Sequence, residues 1–451
     1  MTQGSDAPAV RTATYTSLLR VREYRALFIA DVFSLLGDQL AAVAMAVLVY
    51  QRSHSAFLAA LAYTTLFLPW VIGGPWLSAL ADRLPCRRVL VGVDLSRAAL
   101  IGAAALPKMP LAPLCALLLV SAMLSPPFRS SRAALVPQVL SDDRYSVALS
   151  LQDGLHQSSQ LIGFVAGGAL VALLTARGAL AVDALSFVIS GMLLLRGITP
   201  RPPALARERR TSLRAETWEG LRIVVLDPRL RRPLLLAMVG SMYVVVPEAI
   251  APSYAARLGG GAFTVGLIMG VVACGTLTAS VVIARWLGPE TRQRLLKPLS
   301  FAGTIPLMLT VLTDNRSVCL GLLFLVGTSN AVQVPANAAF AAAVPPQARA
   351  RAFGVAMMGL MAAQLVGITL AGAAAQWVDA DLVLAGAGVV GFAALLAIVF
   401  EDGATRPRVR QLLPRSSTAR FCARRSASSR SRRPFSRPRP PQLSTAAAHE
   451  V

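Results

Sequence analysis

Asp38 and Glu248 are acids set inside long apolar stretches, 26–50 and 233–256, each more than ten residues from where its stretch begins. If such a stretch crosses a bilayer, an ionised side chain at its centre costs roughly 2.5–3.5 kcal/mol, so it needs a partner or a use. A low-dielectric setting favours the neutral form of a carboxyl and brings proton exchange towards physiological pH. These two acids are therefore the first candidates for taking up and releasing protons, or for meeting a cationic ligand. A structural hydrogen bond to a neighbouring helix is the other reading. In Val246-Pro247-Glu248 a proline precedes the second acid, and a helix break there would open a polar cavity.

Two further pairs have helical spacing. Asp153 and His156 share one face, and an imidazole can relay protons near neutral pH. Asp94 and Arg97 share another, and an internal ion pair is expected of them. Other chemistry lacks its residues. The lysines, Lys108 and Lys297, precede Met109 and Pro298, so a phosphate-binding Gly-Lys-Ser/Thr is absent. The histidines are His54, His156 and His449, and the cysteines Cys86, Cys115, Cys274, Cys319 and Cys422 have no metal-ligand spacing. Asp142-Asp143 lies beside Arg144 and reads as solvated charge. No enzyme, cofactor or metal site is expected.

The elements that carry these residues are apolar runs near or above the ~20 residues that a spanning helix needs. Hydrophobic residues make up 55% of the chain and charged ones 15%, beyond the range of a soluble domain. The approximate spans are 26–50, 56–80, 89–107, 111–128, 147–175 and 179–198, then 233–256, 263–287, 296–313, 317–343, 350–377 and 381–400. The expected class is an all-α integral membrane protein with twelve transmembrane helices.

Basic charge sets the orientation. Of 44 Lys and Arg, five (Arg52, Lys108, Arg177, Arg257, Arg316) fall in the odd-numbered gaps, while 38 lie in the even-numbered gaps and termini. Cytoplasmic loops retain Lys and Arg, so both termini are expected in the cytoplasm, in a bacterial inner (plasma) membrane. The same distribution accounts for the net charge of +22, which therefore argues for contact with anionic membrane lipid and not for nucleic-acid binding. The chain divides into a cytoplasmic N-terminal segment 1–25, a six-helix bundle 26–198, a linker 199–232, a second bundle 233–400 and a tail 401–451. The tail holds twelve Arg against three acids, with much Ser and Pro, and reads as disordered.

The halves repeat. Val136-Pro137 precedes a helix with Gln160-Leu161-Ile162-Gly163, and Val344-Pro345 precedes one with Gln364-Leu365-Val366-Gly367. The match falls in the fifth helix of each half. Two such halves related by an axis along the membrane normal characterise one large transporter class, whose substrate site lies between them.

Leu80-Ala81-Asp82-Arg83 and Arg87 follow the second span. Here the sequence resembles the major facilitator superfamily, whose signature in this loop is G-x-L-A-D-R-x-G-R-K/R; Ser78 and Pro85 stand where glycines are expected. The resemblance implies a latch of Asp82, Arg83 and Arg87 that holds the cytoplasmic side closed. Ser34-Leu35-Leu36-Gly37-Asp38, Asp183-Ala184-Leu185-Ser186-Phe187 and Pro345 with Arg349 and Arg351 are similar to the drug and siderophore exporters of the superfamily. Of the antiporter motif in the fifth helix, Gly163, Gly167 and Gly168 remain, and the arginine that many drug antiporters carry within the fourth helix is not found in the span 111–128.

The expectation is a secondary transporter that exports a hydrophobic or amphipathic small molecule in exchange for protons by alternating access, and acts as a monomer. Uptake, or solute sensing without transport, is the alternative.

Overall fold

The structure, a computed structural model, describes residues 15–73, 84–140, 142–201, 213–345 and 348–411. Every regular element among these is helical. The first half contains α1 (Arg22–Ser53), α2 (Ala56–Thr64, followed by a π turn Pro69–Gly73), α3 (Cys86–Ala104) and α4 (Leu111–Met123 and Ser125–Val139). A continuous stretch Asp142–Gly197 is divided at Thr175, whose φ of 77° no helix allows, into α5 (142–174) and α6 (176–197). In the second half α7 is broken into Pro228–Val244, Val246–Ala249 and Ala251–Arg257. Then come α8 (Ala262–Trp286), α9 (Pro289–Ala302 and Thr304–Leu309), α10 (Arg316–Ser329 and Gln333–Ala343), α11 (Arg349–Ala374) and α12 (Ala380–Gln411).

Nine segments are long and apolar enough to cross a membrane, among them Val147–Gly197, which Thr175 folds into two crossings. The α2 length and α3, with its Arg87, Arg88, Asp94 and Arg97, complete the twelve. Local chemistry sets the turns between them. His54 ends α1 in the left-handed region, and the Ser55 hydroxyl accepts from the Leu58 N–H to start α2. Asp227 caps α7 by accepting from the Arg229 N–H at 2.8 Å, and Asn315 caps α10 through Ser317 N–H at 3.0 Å.

Two boundaries differ from the sequence reading. α4 runs to Val139, past its expected end at 128, because Leu124 keeps helical angles and Pro126 and Pro127 sit in the first turn of the continuation, where a missing N–H costs little. α12 stays helical to Gln411, beyond the last apolar residue Phe400, since extending a formed helix is cheaper than starting one. The rest of the expected tail lies outside the described residues.

The bundle has two ends. One carries the connection after α6, including a helix Leu213–Leu226, and is called the linker end; the α1–α2 turn marks the far end. Residues up to Ile398 form one compact unit. Towards the far end the two halves share a single core, with Val43, Tyr63 and Phe164 packed in one cluster with Tyr254, Met269 and Leu323. At the linker end each half keeps its own: Leu27, Leu90, Phe128 and Leu194 in the first, Val224, Phe340, Val344 and Ala352 in the second. The α1 run 42–49 is buried on all sides, as expected of a helix closed in by both halves.

Candidate functional site

The seam between halves is formed by α5 against α8 and α2 against α11. Where α5 crosses α8, Gly168 meets Gly266. A Cβ on Gly168 would lie 2.7 Å from the Gly266 Cα, closer than side chains tolerate. On the same side Gly372 of α11 abuts Ala60 of α2, and the Gln376 amide donates to the Ser55 hydroxyl. These contacts set the far-end closure.

Glu248 stands at this seam. Breaks at Val245 and Ile250 flank the single turn that carries it, and Pro247 and Pro252 withhold N–H groups from the helix ladder. The break places the carboxylate against the other half, where the buried Tyr63 hydroxyl donates to Glu248 Oε2 at 2.8 Å. The proline signal was visible in the sequence; Tyr63, on another helix of the other half, was not.

Asp38 belongs to a different cluster. Its partner is Arg97 of α3, whose guanidinium also lies 4.1 Å from the centre of the Phe187 ring on α6. The expected Asp94–Arg97 pair is thus replaced by an ion pair between helices. Asp94 instead accepts from the Ser190 hydroxyl, and its Oδ1 is buried with no partner. Asp183 is fully buried beside Gly37, accepts from Ser186 at 3.3 Å and leaves Oδ2 without a partner. One guanidinium therefore serves a region with three carboxylates from α1, α3 and α6.

Asp38 and Glu248 are not brought together. Gly163 approaches the Leu36 carbonyl of α1 and Gly367 the Met242 carbonyl of α7, so the repeated glycine has the same role in each half. Counted from those contacts, Asp38 follows Leu36 by two residues and Glu248 follows Met242 by six. The second acid lies about one turn, ~6 Å, nearer the far end.

The continuation of α4 adds a group that the sequence reading missed. Arg129 and Arg132, placed there in a loop, are on this helix, so the fourth helix does carry arginines. Arg132 pairs with the buried Asp31 and donates to Gln152 of α5. Arg129 is exposed and lies 5.0 Å from the centre of the Trp70 ring. Asp153 is exposed on α5 and His156 half-buried one turn on. Asp82 and Arg83 lie outside the described residues. Arg87 donates to the Leu195 carbonyl in the last turn of α6, which ties α3 to α6.

The family model described as Major Facilitator Superfamily matches residues 27–342. No curated protein matches the chain. Similar solved structures include a POT family transporter in complex with 5-aminolevulinic acid (13% identity, 86% of this chain and 97% of that one, TM-score 0.65). The nucleoside transporter NupG is similar at 15% identity, 83% and 99% coverage and a TM-score of 0.65. A bacterial homologue of the iron transporter ferroportin in an inward-facing state is similar at 17%, 85% and 99%, with a TM-score of 0.61. These likenesses are of fold. With a family match over most of its length and twelve helices in two halves, this chain belongs to the major facilitator superfamily, a multi-pass membrane transporter and not an enzyme.

Proposed function

We propose that the protein exports a hydrophobic or amphipathic small molecule in exchange for protons, as a monomer in a bacterial inner membrane with both termini cytoplasmic. The observation that carries this reading is Glu248, an acid on a broken helix, hydrogen-bonded across the seam to Tyr63. With the linker end in the cytoplasm, the shared far-end core seals the outside, and the separate cores leave the inside open for loading. The bundles 26–198 and 233–400 then rock about the seam. Opening the far end parts Tyr63 from Glu248 and lets the carboxylate take a proton from outside. Reclosure delivers that proton to the cytoplasm, so proton and substrate move in opposite directions. Asp38 is the second coupling group, Asp153 and His156 stand next in line, and the latch of the cytoplasmic closed state is assigned to Asp82 and Arg83.

Resemblance to the drug and siderophore exporters supports the direction, as do the apolar walls. The test is accumulation of candidate amphipathic compounds by everted vesicles with and without an imposed pH gradient. Accumulation that follows the gradient is expected. Flux that ignores the gradient would remove the coupling; movement only in the reverse sense would make the protein an uptake permease.

A further inference from the structure

At the linker end of the first half, a groove of ≈ 640 Å³ runs between the start of α3 and the end of α6. One part of its wall is Arg87, Arg88 and Arg201; the other is Val91, Gly92 and Leu195. We infer that this groove binds one phospholipid with an anionic headgroup, the phosphate on the arginines and an acyl chain along the apolar wall. The inference rests on membership of the transporter family and not on proton coupling.

The charged part is short of acceptors. Arg201 gives one nitrogen to Glu23 at 2.6 Å, and its Nη1 is buried with no partner. Arg87 spends Nη2 on the Leu195 carbonyl, and its Nε is likewise buried and unpartnered. Among the described residues neither Arg87 nor Arg88 has a carboxylate partner. Both lie in the first turn of α3, where the helix dipole is positive, Pro85 at the cap offers no side-chain acceptor and no acid follows. Two cations at a helix N-terminus oppose the dipole unless an anion joins them. A phosphate supplies that anion, with oxygens matched to the guanidinium fork.

The apolar part selects a lipid over free phosphate. A Cβ at Gly92 would meet nothing within 4 Å, so the groove is open there, and Leu195 is half exposed. Val91 and Gly92 continue along α3 into the bilayer, at the depth where a chain follows its headgroup. Basic pockets between helices at the cytoplasmic face are suited to such headgroups.

The test is native mass spectrometry of the purified full chain with phosphatidylglycerol, phosphatidylcholine or inorganic phosphate. The parent should retain one phosphatidylglycerol with a preference of about tenfold over phosphatidylcholine. Arg87→Gln with Arg88→Gln should lose that preference. Gly92→Leu, which fills open space, should reduce retention of both lipids, and Arg294→Gln, on an exposed arginine of the other half, should change neither. Retention at the parental level in both groove variants would overturn the site. Displacement of the lipid by inorganic phosphate at equal concentration would overturn the lipid assignment in favour of a soluble anion.

Discussion

The Tyr63 hydroxyl donates to the Glu248 carboxylate at 2.8 Å, which joins the two halves of the protein at the one acid on the broken helix α7. The bond favours the far-end-closed arrangement and disappears when the halves part there. A hydrogen bond to a charged group contributes about 1.5–3 kcal/mol. Tyr63→Phe should therefore increase alkylation of a cysteine placed at Ser55, at the far end, by about tenfold while protein abundance stays normal. Equal labelling of variant and parent would show that the bond does not hold the closure.

Glu248→Gln removes the exchangeable proton but keeps the shape. Gradient-driven accumulation should be lost while downhill exchange continues. Uphill transport at the parental rate would place coupling elsewhere, with Asp153 and His156 the next residues to change.

The Asp38–Arg97 pair is mostly withdrawn from water, the arginine side chain being 5% exposed. Removing one member of a buried pair leaves the other charge uncompensated and typically costs 3–5 kcal/mol. Arg97→Gln alone should lower the unfolding temperature of the purified protein, and adding Asp38→Asn should restore part of the loss. Asp38→Asn alone should also weaken binding of cationic substrates. Additive losses in the double variant would dissolve the pair.

The helical class and the repeat were legible because apolar length, charge side and a repeated Gln-Leu-x-Gly are one-dimensional signals. The structure adds their meaning: Gly163 and Gly367 each let the fifth helix of a half approach its first. Partners were not legible. Spacing permits Asp94 and Arg97 to meet, but a long guanidinium reaches another helix as easily, and Asp38 lies there. Arg129 and Arg132 looked like loop charges because Asp31 and Trp70, which let them stay on a helix, come from α1 and the turn after α2. The offset of Glu248 from Asp38 needed the helix contacts themselves.

Orientation follows from the distribution of basic residues, 38 against five. Reporter fusions at Arg410 and within 199–232 should both give a cytoplasmic signal. A signal from the opposite side at either position would invert the assignment of the two ends, and with it the direction of loading.

The α5–α8 crossing gives a test of alternating access that needs no charged residue. Gly168 and Gly266 lie so close that a Cβ on the first would be 2.7 Å from the Cα of the second and 3.0 Å from the Ala262 carbonyl. The obstacle is backbone on a packed helix, which cannot rotate away as a side chain can. Gly168→Leu should therefore wedge α5 from α8 at the far end and bias the protein towards the opposite arrangement. Export should fall by about tenfold or more, and labelling of a cysteine at Ser55 should rise in a background whose native cysteines are replaced. Gly321→Leu, on α10 where a Cβ meets nothing within 4 Å, separates this from a general intolerance of bulk. It should leave both transport and labelling within about twofold of the parent. If Gly168→Leu transports normally, the far-end crossing does not close during the cycle, and the gate must be sought between α2 and α11.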